Sequence, residues 1–257
     1  MLRADSTESV VSELIRERIL LLDGAMGTMI QRLKLDEAGV RGERFADHHK
    51  DLKNFSDILC LTHPEKITDI HREYYEAGSD IVETNSFGAS PVGMIEFGLD
   101  ADLVQEINAA AVACARKAAD EYSDKTPDKP RFVAGSIGPT TFQLAISTKD
   151  DPAHRDTTYQ ALADSYYVQV KALCEAGVDI LLPETAIDTL NLKSCLFAIQ
   201  RYFDEGGRRV PVMASGTFMD GGRTFVSAQS VEAFWTAISH FPLLSVGMNC
   251  ALGPDVM

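Results

Sequence analysis

Carboxylates recur where a strand-like run of apolar residues stops: Asp23 after ILLL, Glu83 after DIV, and Glu184 after ILLP. Carboxylates grouped at one mouth need a cationic partner such as a substrate ammonium, because an unpaired buried charge is costly. The duller reading is that each pairs with a nearby Arg or caps the next helix, and for Glu83 or Glu184 taken singly the two readings are even. DGAMGT, Asp23 to Thr28, adds glycines whose bare backbone N–H groups can approach a ligand closely. Taken alone it is better read as a tight strand-to-helix turn, because Asp and Gly are turn residues whatever the function. Cys250 ends the last apolar run, in GMNCALGP. A lone cysteine is weak evidence for zinc, since a catalytic site takes three protein ligands and an open position. The histidines give no help: His48 and His49 fall in a loop, His63 and His71 on one helix, and His154 and His240 away from any expected strand end.

Six β-branched apolar runs must position these groups: from Ile19, Asp80, Arg131, Val178, Val210 and Leu243. They are nearly continuous in their apolar part, as strands buried on both faces must be. Amphipathic helical patterns alternate with them. One follows His63, with Pro64 suited to a first helical position and Gly78 to a stop. Others cover residues 101–122, the stretch from His154 to Gly177, and Asp188 to Glu205, and a last one starts near Ser230. Alternating buried strands and helices predict a parallel α/β sheet with right-handed crossovers, either doubly wound or closed into a barrel. The barrel is favoured because polar or glycine residues end every strand, among them Asp23, Glu83, Ser136, Glu184, Ser215 and Asn249. A TIM-like (β/α)8 barrel needs eight strands, and about six of the eight units are legible. The expectation is one domain spanning 1–257, truncated before the last two strands, with unpaired edges that favour association.

Composition narrows the function classes. The 257 residues are 45% hydrophobic and 24% charged, enough for a sizeable core. A net charge of -14, spread along the chain, argues against nucleic acid as a partner. No stretch is long and apolar enough to span a membrane. The five cysteines, Cys60, Cys114, Cys174, Cys195 and Cys250, are odd in number and lack a C-x-x-C pair, which predicts reduced thiols and a cytoplasmic location. Cys114, Cys174 and Cys195 read as core residues on helices, and Cys60 as buried in a loop.

Taken together, LDGAMGTMIQ, RGERFADH, DIVETNSF, FVAGSIGPT, ETAIDTLNLK, SGTF with GRT, and GMNCALGPD resemble the homocysteine-binding domain of cobalamin-dependent methionine synthases. The similarity runs in order from about Ile15 to the last residue. It implies a methyltransferase: a zinc-activated homocysteine thiolate takes a methyl group from methylcobalamin to form methionine. By the same resemblance Cys250 is a catalytic residue and a metal ligand, one of three cysteines holding zinc. The other two, an adjacent pair, have no counterpart in the chain. Asp23 and Glu184 would orient the amino group. Backbone of Gly24, Ala25, Met26 and Gly27, with the Ser136 turn, would hold the carboxylate, and Glu83, Asn85 and Asn249 would line the pocket. The implied partners are homocysteine and downstream cobalamin-binding and folate-binding domains. The alternatives are a methyltransferase using betaine or S-methylmethionine, and a non-catalytic homocysteine-binding fragment.

Overall fold

The six apolar runs lie side by side in chain order and parallel in the computed structural model, which describes residues 4–147, 149–253 and 255–257. The strands are β1 Ile81–Glu83, β2 Phe132–Ile137, β3 Ile180–Pro183, β4 Met213–Gly216, β5 Phe218–Met219, β6 Arg223–Thr224 and β7 Ser245–Met248. β1, β2 and β3 form one parallel sheet, with Val82 opposite Val133 and Gly135 opposite Leu181. Two isolated parallel bridges, Leu181 to Val212 and Ala186 to Gly216, carry the order on to β4, which pairs in parallel with β7. β5 and β6 make a small antiparallel ribbon in the loop beyond β4, which the apolar runs did not foretell.

The first run, expected as a strand from Ile19, is reduced to one parallel bridge between Leu22 and Ile81. It stays aligned through Asp23 N–H to the Ile81 carbonyl (3.0 Å) and Ile81 N–H to the Leu21 carbonyl (3.1 Å). Ile19, 86% exposed, has nothing to pack on. A run with a neighbour on one side only and little burial cannot sustain a full ladder.

Period-two alternation sorts the strand residues. Val82, Val133 and Leu181 face a large core shared with the helices, which also holds Leu162, Val170, Leu192 and Ile199. Ile81, Phe132, Ala134, Ile180 and Leu182 face inward and meet Val11 from helix Ala4–Glu17. Burying a side chain such as Val11 contributes about 1.5–3 kcal/mol, so this helix plugs the interior from the end opposite the carboxylates. Arg18 completes the plug with a two-pronged ion pair to buried Asp80, at 2.7 and 2.8 Å.

The outer helices begin and end where their caps dictate. Helix Pro64–Ala77 starts on its proline and stops at Gly78, whose φ of 113° is left-handed. Helix Leu103–Lys125 packs against it. Helix Tyr159–Ala176 is capped by Thr158, whose side chain accepts from Ala161 N–H, and Thr189–Asp204 is capped in the same way by Asp188. Helix Val231–Ile238 begins after Ser230, as expected. Cys60 sits on short helix Leu59–Thr62, not in a loop, and is buried. Among the described residues no helix is long and apolar enough to cross a membrane.

Candidate active site

A cleft of about 910 Å³ opens at the carboxyl ends of the strands. Asp23, Gly24, Ala25, Met26, Gly27, Glu83, Asn85, Ser136, Glu184, Asn249 and Cys250 all line it, so the residues singled out from the sequence converge on one cavity. Parallel strands deliver them there because each apolar run ends on the same side of the sheet.

At the floor lie three carboxylates. Both oxygens of Asp23 accept the Glu83 backbone N–H, each at 3.1 Å. Glu184 accepts from the Ser136 hydroxyl (2.5 Å) and from the Thr185 hydroxyl (3.3 Å). Ser136 is buried within β2 and its hydroxyl donates to Glu184, so its side chain positions that carboxylate. Burial raises the Glu83 carboxyl to about 10, reinforced by the negative charges of Glu184 and Asp23. Asp23 is also raised, by burial first and Glu184 second, and Glu184 is raised by burial. All three are only half-buried by accessible surface, as groups on the floor of an open cleft must be. Raised in this way, the trio holds at least one proton near neutrality. No lysine or arginine lines the cleft, and none of the three carboxylates forms an ion pair among the described residues.

The glycine segment forms one wall. Ala25 precedes helix Met26–Arg32 without a side-chain cap, and its carbonyl accepts from the Tyr74 hydroxyl at 3.3 Å. A Cβ on Gly24 would come within 3.3 Å of that hydroxyl, and the segment leads directly into the helix as a strand-to-helix turn would. The opposite wall includes residues the sequence did not flag: Asn54, Phe55, Ser56 and Asp57, with Phe87 and Phe97. Asn85 is tied to that wall by donating to the Ser56 carbonyl at 2.8 Å. Asp57 accepts Gly88 N–H at 2.7 Å, and burial raises it to about 7. These positions follow no strand, and their one signal is the polar cluster in KNFSD.

Cys250 stands at the rim, exposed, beyond the end of β7. Its φ of 49° and that of Ala251, 62°, put two consecutive residues in the left-handed region, and Leu252 N–H closes back on the Cys250 carbonyl at 2.7 Å. The sulfur lies 3.4 Å from the Thr217 hydroxyl and 3.5 Å from Asn249 Nδ2. It is the one thiol lining the cleft among the described residues, where no group of three or more His, Cys, Asp or Glu is arranged to hold a metal. A zinc site takes three or four protein ligands, so the donors present do not form one by themselves.

The family model for homocysteine S-methyltransferase matches residues 20–257. The chain belongs to the homocysteine S-methyltransferase family. Its fold is likewise that of solved relatives. The oxidized form of the homocysteine methyltransferase MmuM from Escherichia coli superposes with a TM-score of 0.72 at 25% identity, over 92% of this chain and 75% of that one. The metallated form gives 0.74 at 24% identity, over 95% and 79%. The TIM-barrel-like architecture expected from strand and helix alternation is thus the homocysteine methyltransferase fold. Family membership makes the chain a methyltransferase.

Proposed function

We propose that the cleft binds homocysteine through its ammonium group and presents the sulfur as methyl acceptor, and that the chain is the homocysteine-binding part of a cobalamin-dependent methionine synthase. One observation carries the reading: three carboxylates share the cleft floor with no cationic side chain beside them among the described residues. A ligand ammonium is the charge that offsets them. Asp23 and Glu184 take it, Glu83 gives up its proton as it arrives, and the glycine segment 24–27 takes the ligand carboxylate on backbone N–H groups. The amino acid then lies with its side chain toward Cys250.

The acceptor must be a thiolate, and a free thiol with a pKa of ~8.5 is only a few per cent ionised at neutral pH. Cys250 is proposed as one thiolate ligand of a zinc ion that would deprotonate it. The remaining donors are not among the described residues, where no group of three or more His, Cys, Asp or Glu is arranged to hold a metal.

Methylcobalamin is the proposed donor, carried by a cobalamin-binding domain beside a folate-binding one, and the support is the motif set, RGERFADH and GMNCALGPD above all. Five free cysteines fit a cytoplasmic setting. Calorimetry with L-homocysteine and with 4-mercaptobutyrate, which lacks the ammonium, tests the binding reading. Homocysteine should bind and the analogue should not; equal affinities overturn it. Methyl transfer by the chain together with the remaining metal donors, assayed with methylcobalamin, betaine and S-methylmethionine, tests the donor. Turnover with either onium compound and none with methylcobalamin overturns that part.

A further inference from the structure

Asn249 lines the cleft, yet its side chain has nothing left to offer a ligand. A carboxamide has two N–H donors and two acceptor lone pairs. Here Oδ1 accepts from Thr185 N–H (3.2 Å) and from the Ser215 hydroxyl (2.9 Å), while Nδ2 donates to the Thr185 hydroxyl (2.8 Å) and meets the Cys250 sulfur at 3.5 Å. All four positions are used inside the protein. The backbone is held as well, by Asn249 N–H to the Gly216 carbonyl (3.1 Å) and by the Thr217 hydroxyl on the Asn249 carbonyl (3.3 Å).

The partners lie on different strands. Thr185 follows β3 and Glu184, Ser215 is on β4, and Cys250 follows β7. Thr185 has φ of 57°, a left-handed conformation that β-branched residues rarely adopt, and one that persists only where the surroundings over-determine it. The Asn249 carboxamide grips that residue by both its N–H and its hydroxyl, and the same hydroxyl donates to Glu184 at 3.3 Å. A continuous path of contacts therefore runs from the Glu184 carboxylate through Thr185 and Asn249 to the Cys250 sulfur.

We propose that Asn249 is a positioning residue that sets the separation between the amino-acid anchor at Glu184 and the sulfur end of the cleft at Cys250, and thereby selects amino-acid thiols by chain length. The selectivity part rests on the homocysteine reading; the mechanical link between Thr185 and Cys250 does not. A ligand with an ammonium at one end and a thiol at the other is measured against that separation, and homocysteine differs from cysteine by one methylene.

Two measurements on the 257-residue chain test this. First, calorimetry with L-homocysteine and L-cysteine compares the wild type with Asn249→Ala and Asn249→Asp. The preference for homocysteine should fall by about tenfold, the scale of one methylene in a fitted pocket, while thermal unfolding stays cooperative. Unchanged preference in both variants overturns the selectivity claim. If the wild type binds neither amino acid, it is the homocysteine reading that fails. Second, the rate of iodoacetamide alkylation at Cys250, read by peptide mass spectrometry at one pH, follows Thr185→Val in the wild-type and the Asn249→Ala backgrounds. Thr185→Val should change the rate about threefold or more, the scale of one lost hydrogen bond, in the wild type and not in Asn249→Ala. No change in the wild type, or the same change in both backgrounds, overturns the link.

Discussion

The two ends of the cleft are built on opposite principles. At the floor, Asp23, Glu83 and Glu184 are held by β1, by the buried Ser136 of β2 and by the Thr185 turn, with charge unbalanced and geometry complete. At the rim, Cys250 is exposed on two consecutive left-handed residues, with a neutral hydroxyl and a carboxamide for neighbours. A floor with excess negative charge suits a cation, and in the reading proposed above the thiol at the rim supplies one corner of a metal site. On that reading recognition rests on the floor, whereas activation of the acceptor sulfur needs further donors.

The largest effect that can break this division comes from the floor. Asp23→Asn or Glu184→Gln removes a charge that the ammonium meets in a partly desolvated site, a loss of about 2–5 kcal/mol. Homocysteine affinity measured by calorimetry should fall by roughly 30-fold or more. A fall below threefold in both variants would remove the floor as the recognition element.

Proton linkage sharpens the same point. Burial raises all three carboxyls, and neighbouring negative charge adds to it at Glu83 and Asp23, so on the proposed reading the free cleft keeps a proton near neutrality that an incoming ammonium expels. Binding that releases one proton strengthens with pH, by up to about tenfold per unit. Between pH 6 and 8 the homocysteine Kd should fall, and the heat of binding should vary with the ionisation enthalpy of the buffer. A Kd flat across that range would mean that the three carboxylates are already ionised in the empty cleft.

The floor was also the more legible region. A carboxylate directly after an unbroken apolar run is visible in one dimension, and the parallel fold carries every such residue to one side, so Asp23, Glu83 and Glu184 could be grouped without coordinates. Helix stops at Gly78 and Gly177 were legible for the same local reason, since a left-handed residue ends each helix. What stayed hidden depends on contacts distant in sequence. Helix Ala4–Glu17 plugs the interior only because Val11 meets Phe132 and Ile180. Residues 54–57 form a wall only because Asn85 ties them to β1. The run from Ile19 is a bridge, not a ladder, because burial and not propensity decides its length. Asn249 read as a pocket residue, and its saturation by Thr185, Ser215 and Cys250 emerges only in three dimensions.

Glu83→Gln separates recognition from stability within the floor. A carboxyl raised from its ordinary 4.5 to about 10 binds more protons folded than unfolded, so its stabilising contribution is full below pH 4.5 and declines as pH rises toward 10. The carboxamide of the variant cannot ionise and escapes that decline. At pH 8 the variant should melt about 2–4 °C above the wild type, the shift ~1 kcal/mol makes in a domain of this size, with the difference vanishing at pH 4. A variant that melts lower at pH 8 would show that Glu83 is charged and paired in the empty cleft.

The smallest expected effect tests the rim. Cys250→Ser removes the thiol and leaves every contact of Asp23, Glu83 and Glu184 in place, so homocysteine affinity in the absence of added metal should stay within about threefold of wild type, below the ~1 kcal/mol of one ordinary hydrogen bond. Zinc responds differently. In a protein supplied with the remaining thiolate donors, the same substitution removes one of three ligands, and stoichiometric zinc retention should be lost. Zinc content is read by atomic absorption after dialysis against a weak chelator. If affinity without metal collapsed on Cys250→Ser, the sulfur end would belong to recognition, and the division between floor and rim would not hold. If zinc stayed bound, the division would stand but Cys250 would have no part in the metal site.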